Sequence, residues 1–286
     1  MSKKILCLGF GYAARALTRQ LSGEWHVIGT TRKPDKAAEM AAEGIEPYHW
    51  DGRELSARLV ANVDAVLIST GPDDIGCPAA RAAEKVFAAT PPGWIGYLSS
   101  NGVYGNYNGA WVDEDSPLMA GSRRGLNRIA AEEKWRSIAA AMNVPAAIFR
   151  LPGIYGPGRS AIDSIRAGKA RRIIKPDQVF SRAHVDDIAT TVLAALSRPT
   201  KNAVYNVADD EPAPPQDVIE YACELLGVAP PPEEPFDTTD LSEMARSFYA
   251  DNKRVKNDRI KNELGVSLAY PTYREGLNAI LAQHRD

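Results

Sequence analysis

The feature that most narrows the folds open to this chain is its start. There Lys3-Lys4-Ile5-Leu6-Cys7-Leu8 runs into Gly9-Phe10-Gly11-Tyr12-Ala13-Ala14 and continues as Arg15-Ala16-Leu17. An apolar run, a Gly-x-Gly-x-x-Ala turn and an alanine-rich continuation predict a buried strand, a tight turn and a helix N-terminus. Each small residue has a steric task in that reading. Gly9 permits the turn, Gly11 leaves room for a bound group over the backbone, and Ala14 lets the helix lie close on the strand. The free N–H groups of the first helical turn then suit a pyrophosphate, with Tyr12 and Ala13 beside the glycines among the contacting residues. Taken alone, glycine pairs also close strands for purely steric reasons, so the decision falls to the rest of the chain.

The rest repeats the same rhythm. Helices over 12–21, 35–43, 78–89, 122–142 and 184–196 alternate with strands over 25–30, 47–51, 63–69, 94–100, 146–150 and 203–207. Such alternation predicts an α/β fold: a doubly wound parallel sheet of the Rossmann type, covered on both faces. From Pro152 the texture changes to shorter elements punctuated by Pro, Gly and charge. Later helices are expected over 216–226, stopped by Gly227, and over 254–264 and 273–283. This divides the chain into a dinucleotide-binding domain, residues 1–153 plus about 184–208, and a smaller mixed α/β C-terminal substrate lobe, residues 154–183 and 209–286.

The second strand carries the cofactor choice. An NAD site would place an acid at its end for the ribose hydroxyls, about twenty residues after the first glycine. This chain instead reads Thr30-Thr31-Arg32-Lys33-Pro34. A guanidinium and an ammonium suit a 2′-phosphate, so NADP is expected in preference to NAD, with Thr31, Arg32 and Lys33 at that end. The alternative is that Arg32 and Lys33 are solvated charges opening a surface helix. Asp51, at the exit of the third strand, either accepts from an adenine amine or caps a helix beginning near Leu55. Thr70 and Gly71, in the loop after the fourth strand, fall where such a sheet would press against the cofactor.

With 286 residues, 44% of them hydrophobic and a net charge of −2, the chain can bury a large core but presents no basic field for nucleic acid. No apolar run reaches membrane-spanning length, and the short apolar start serves better as a strand than as a signal peptide. A cytoplasmic protein acting on a small molecule is expected, with a second copy of the chain as the one macromolecular partner considered. Cys7, Cys77 and Cys223 are widely spaced, so structural thiols and no metal site are expected.

Several stretches together resemble the extended short-chain dehydrogenase/reductase family of NAD(P)-dependent epimerases, dehydratases and reductases. They are the Gly9 to Ala14 turn, Ser99-Ser100-Asn101-Gly102-Val103-Tyr104-Gly105, and Arg150-Leu151-Pro152-Gly153-Ile154-Tyr155-Gly156-Pro157-Gly158. Phe180-Ser181-Arg182-Ala183-His184-Val185-Asp186-Asp187 and Tyr205-Asn206-Val207-Ala208 complete the set. The resemblance implies a nucleotide-linked or otherwise anionic carbonyl or hydroxyl substrate. It assigns Ser100 to the catalytic serine, Asn101 to the substrate, Pro152, Ile154 and Tyr155 to the nicotinamide and substrate, and Arg182 to an anionic group.

The resemblance breaks at one pair. The family's Tyr-x-x-x-Lys falls on Arg124 and Arg128. A guanidinium stays protonated near neutral pH, so Arg124 cannot be the acid or base, whereas Arg128 can still donate to a ribose. Four apart on a helix, the two share a face that suits an anion; the alternative is a solvated pair with Arg128 bound to Glu132. Proton transfer then falls to Tyr104, Tyr107 or Tyr155, with Tyr104 preferred for lying in the loop of Ser100. Two functions remain in contention: an NADP-dependent oxidoreductase or epimerase-like enzyme, and a catalytically degenerate NAD(P)-binding sensor or regulatory protein.

Overall fold

A computed structural model describes residues 2–283. Seven parallel strands form its central sheet: β1 (Lys3–Leu8), β2 (Trp25–Thr31), β3 (Glu46–His49), β4 (Ala65–Ile68), β5 (Ile95–Ser100), β6 (Ala146–Leu151) and β7 (Ala203–Asn206). Their spatial order is 7-6-5-4-1-2-3. Ile5 of β1 is in register with Val27 on one side and Ala65 on the other, so the chain reverses its direction of winding beside β1. That switch point is where a doubly wound sheet opens a crevice at the carboxyl ends of its strands.

The inner strands are apolar on both faces, and their alternation sorts residues between two cores. Ile5 and Cys7 pack with α1 (Tyr12–Gln20) and, through Met40, with α2 (Pro34–Ala42). Leu6 and Leu8 point the other way, into a cluster completed by α3 (Pro78–Ala89) and α4 (Arg123–Ala141). A fifth helix, α5 (Val185–Ser197), covers the first face and begins at His184, whose Nδ1 accepts from the Asp186 N–H at 3.2 Å. Ser122 caps α4 in the same way through the Gly125 N–H, 3.1 Å away.

A separate cluster joins the helix Ala161–Arg166 to α6 (Pro215–Leu226) and α7 (Tyr273–Gln283) through Ile162, Val218, Ala222 and Leu277. Two short strand pairs tie this region to the sheet's carboxyl edge: Gly153–Tyr155 with Arg182–His184, and Trp111–Val112 with Arg254–Val255. The second pair corrects the expected helix over 254–264. Arg254 and Val255 are extended because they add to Trp111 and Val112, and the helix begins only at Asp258. No helix among the described residues is long and apolar enough to cross a membrane. All three cysteines are buried and free.

Candidate active site

The glycine turn is held by its neighbours in the sheet. Gly9 has φ of +89°, and a Cβ there would fall 2.9 Å from Ser69 Oγ and from the Thr70 methyl carbon. Its N–H donates to Thr30 Oγ1 at 2.7 Å, and the Ser69 hydroxyl donates to its carbonyl oxygen. Gly11, the N-cap of α1, is different: a Cβ there would meet only Ser69 Oγ, at 3.9 Å, and no side chain caps the helix. The space over Gly11 is therefore open for a ligand, whereas Gly9 is required by its backbone. Ala13 and Ala14 are buried beneath it, and Tyr12 reaches away to donate to the Pro157 carbonyl at 2.9 Å.

A cleft of about 590 Å³ extends from this turn past Thr31, Arg32, Lys33, Lys36, Asp51, Arg53 and Thr70 to Gly71. Arg32 and Lys33 are exposed on its rim. Asp51 accepts from the Arg53 N–H at 2.9 Å, and Ser56, in place of Asp51, caps the helix Ala57–Val60. Thr70 Oγ1 is buried with no hydrogen-bond partner among the described residues. An open N-terminal turn, an unsatisfied hydroxyl and a cationic rim fit a dinucleotide. The first helical turn and Thr70 would hold its phosphates, with Arg32, Lys33 and Lys36 at the ribose end.

A second cleft of about 420 Å³ adjoins the first, with Gly71 and Asp73 in both walls. It gathers Ser100, Asn101, Arg124 and Arg128 with Phe180, Ser181, Phe248 and Lys253 from the later part of the chain. Ser100 ends β5 and caps the 3₁₀ turn Asn101–Tyr104, its Oγ accepting from the Gly102 N–H at 3.1 Å. The hydroxyl hydrogen remains free to point at a substrate oxygen. Arg128 lies along β5, with Nη1 donating to the Leu98 carbonyl at 2.9 Å and Nη2 turned toward Gly71. Arg124 is exposed, its guanidinium 5.5 Å from the centre of the Phe248 ring.

Several expectations meet a different geometry. Tyr104 is fully buried, donating to Asn206 Oδ1 at 2.7 Å and accepting from Arg150 at 3.0 Å, and it lines neither cleft. Burial raises its hydroxyl to about 12. Tyr107 donates to the Pro117 carbonyl at 2.7 Å. Tyr155 and Arg182 line a third cavity beside α6 and α7, apart from Ser100. Arg182 donates there to the carbonyls of Phe180 and Ala213, at 2.8 and 3.1 Å. Pro152 and Ile154 are half-buried and line neither cleft, Ile154 packing on the core. Glu132 pairs with Arg150 at 2.9 Å, so the alternative in which it binds Arg128 does not occur.

The residues that sequence reasoning missed are Lys36, in the first turn of α2 just after Arg32 and Lys33, and Lys253. A cation one turn into α2 was a readable signal for the first. For Lys253 no local signal exists. Among the described residues no cluster of three or more His, Cys, Asp or Glu is placed to hold a metal.

An open crevice at the switch point of a parallel sheet, fed by a glycine turn, defines a dinucleotide-binding α/β protein. The chain belongs to the NAD dependent epimerase/dehydratase family, whose model matches residues 5–208. Its structure is similar to that of a conserved protein of unknown function from Silicibacter pomeroyi DSS, at 50% identity over 99% of each chain and a TM-score of 0.93. The fold is shared with MoeE5 in complex with UDP-glucose and NAD, at 18% identity over 99% of each chain and a TM-score of 0.81. It is also shared with the UDP-glucuronic acid 4-epimerase of Bacillus cereus in complex with UDP-glucuronic acid and NAD. There the identity is 18%, the coverage 98% of this chain and 99% of the other, and the TM-score 0.80. None of the curated proteins matches.

Proposed function

We propose that this protein is an NADP-dependent oxidoreductase or epimerase-like enzyme acting on a nucleotide-linked sugar or another anionic carbonyl or hydroxyl compound. The observation that carries this reading is the continuity of the two clefts. One runs from the glycine turn to Gly71; the other runs from Gly71 to Ser100 and the arginines of α4. A cofactor along the first would present its reactive end to a substrate in the second. NADP is supported over NAD by Arg32, Lys33 and Lys36, which offer cations where a bare ribose would call for an acid. The anionic substrate is supported by Arg123, Arg124 and Arg128 in one wall.

In this reading Ser100 would donate to the substrate oxygen, and a bound nicotinamide would supply or take up a hydride. Removing one preorganised donor commonly costs about a hundredfold or more in rate. NADPH oxidation with aldehydes and keto sugars, and NADP reduction with nucleotide-linked sugars, test the proposal in Ser100→Ala beside the unmodified protein. Turnover that is unaffected by the loss of Ser100 overturns it.

One observation favours the second reading, a cofactor-binding sensor: Arg124 stands in the wall where a tyrosine would exchange the proton, and Tyr104 is turned away. NADPH binding without turnover of any tested compound decides for the sensor.

A further inference from the structure

If the second cleft performs acid–base chemistry, its own walls must supply the group. Its arginines stay protonated near neutral pH. Asp73 is held below the ordinary carboxylate range by Arg81, which it binds at 2.9 Å, and Asp74 pairs with Arg123 at 2.9 Å on the exposed rim. Both are bases already committed to cations, as is the third carboxylate of the wall, Asp251, which pairs with Lys253.

Lys253 is the exception. It is 6% exposed, yet it lines the cleft. Its Nζ donates to the Gly105 carbonyl at 2.7 Å, at the end of the 3₁₀ turn that starts at Ser100, and lies 3.4 Å from Asp251 Oδ2. Two of three ammonium hydrogens are thereby used, which leaves one without a protein partner. The segment bearing Lys253 is clipped in place, since the Asn252 carbonyl accepts from the N–H groups of Tyr107 and Gly109 at 2.9 and 3.0 Å.

We propose that Lys253 is the proton-transferring residue of this cleft, a catalytic residue that takes the part Arg124 cannot play. The proposal rests on the oxidoreductase reading above. In reduction, the carbonyl carbon gains a hydride, with its two electrons, from the reduced nicotinamide. The carbonyl π pair moves to oxygen, which takes a proton from Lys253 Nζ, and the neutral amine recovers a proton from solvent. Oxidation runs the same steps backward. Burial draws the ammonium below the ordinary lysine range, against the pull of Asp251, which brings its proton closer to use near neutrality. The other charges in the walls are Arg123, Arg124 and Arg128 on α4 and Asp73 and Asp74 after β4.

The test uses the full chain. Lys253→Ala and Lys253→Arg should each bind NADPH as the unmodified protein does, while kcat falls by roughly 10²–10⁴. The alkaline limb of the unmodified protein's kcat profile should disappear in both. Trace acetylation of the unmodified protein across pH, read by mass spectrometry on the peptide carrying Lys253, should titrate at the midpoint of that limb. This second measurement stands even where a variant fails to fold. A raised KM with kcat and its pH profile intact overturns the proposal and leaves the enzyme reading in place; so does a Lys253 titration that does not match the limb. Absence of turnover by the unmodified protein overturns both.

Discussion

Arg128 donates through Nη1 to Tyr97 Oη at 3.0 Å, and its guanidinium sits 5.8 Å from the centre of the Tyr97 ring. The same nitrogen reaches the Leu98 carbonyl, so an arginine in the family's lysine position is fixed to β5 on one side and faces Gly71 on the other. Arg128→Ala should weaken NADPH binding by about ten- to a hundredfold, the usual range for one charge-assisted contact. Arg128→Lys should recover part of the loss, since it keeps the charge but not the two-point anchor. Fluorescence titration of NADPH checks both; binding unchanged in the alanine variant would detach Arg128 from the cofactor.

The rim of the first cleft should choose between cofactors. Arg32→Ala, and more so Arg32→Ala with Lys36→Ala, should weaken NADP binding while leaving NAD binding within a few-fold, because only NADP carries the 2′-phosphate. The paired titrations decide. Tighter binding of NAD than of NADP by the unmodified protein would refute the assignment.

The sheet and the first cleft were legible in the sequence because their signals are local: an apolar run, a glycine turn, a cation after a strand. The second cleft was only half legible, for geometric reasons. Ser100 and Tyr104 are four residues apart on a 3₁₀ turn, whose three residues per turn set their side chains about 120° apart, so Tyr104 enters the core as Ser100 faces the cleft. Arg182 follows Ser181 along an extended segment, and alternation sends the two to opposite sides. Lys253 was invisible because it reaches the cleft through the pairing of Arg254 with Trp111, a contact that no periodicity announces.

Behind Ser100 lies a buried ion pair. Glu132 and Arg150 meet at 2.9 Å with side chains 4% exposed, and Ser99 and Tyr104 complete the network. Glu132→Ala would leave the guanidinium buried and unpaired, which typically costs about 3–5 kcal/mol. A melting temperature lower by on the order of 10 °C should follow. Glu132→Leu combined with Arg150→Met should lose less, since no charge is stranded. Thermal melts of the three proteins give the comparison, and a double variant as unstable as the single one would show that the pair itself holds the sheet.

Asp209 gives the fold a pH dependence of its own. The residue is 3% exposed, and burial pushes its carboxyl from 3.8 up to about 8, the Arg182 guanidinium opposing the rise. The folded state therefore keeps a proton that the unfolded chain has already lost between those values. Stability from this group is fully present below pH of about 4 and is lost as pH rises toward 8, at up to about 1.4 kcal/mol per pH unit. Asp209→Asn has no proton to lose, so its melting temperature should exceed that of the unmodified protein at pH 8 and approach it at pH 4. Melts across that range measure the slope directly. Parallel curves for the two proteins would mean that Asp209 stays ionised in the fold.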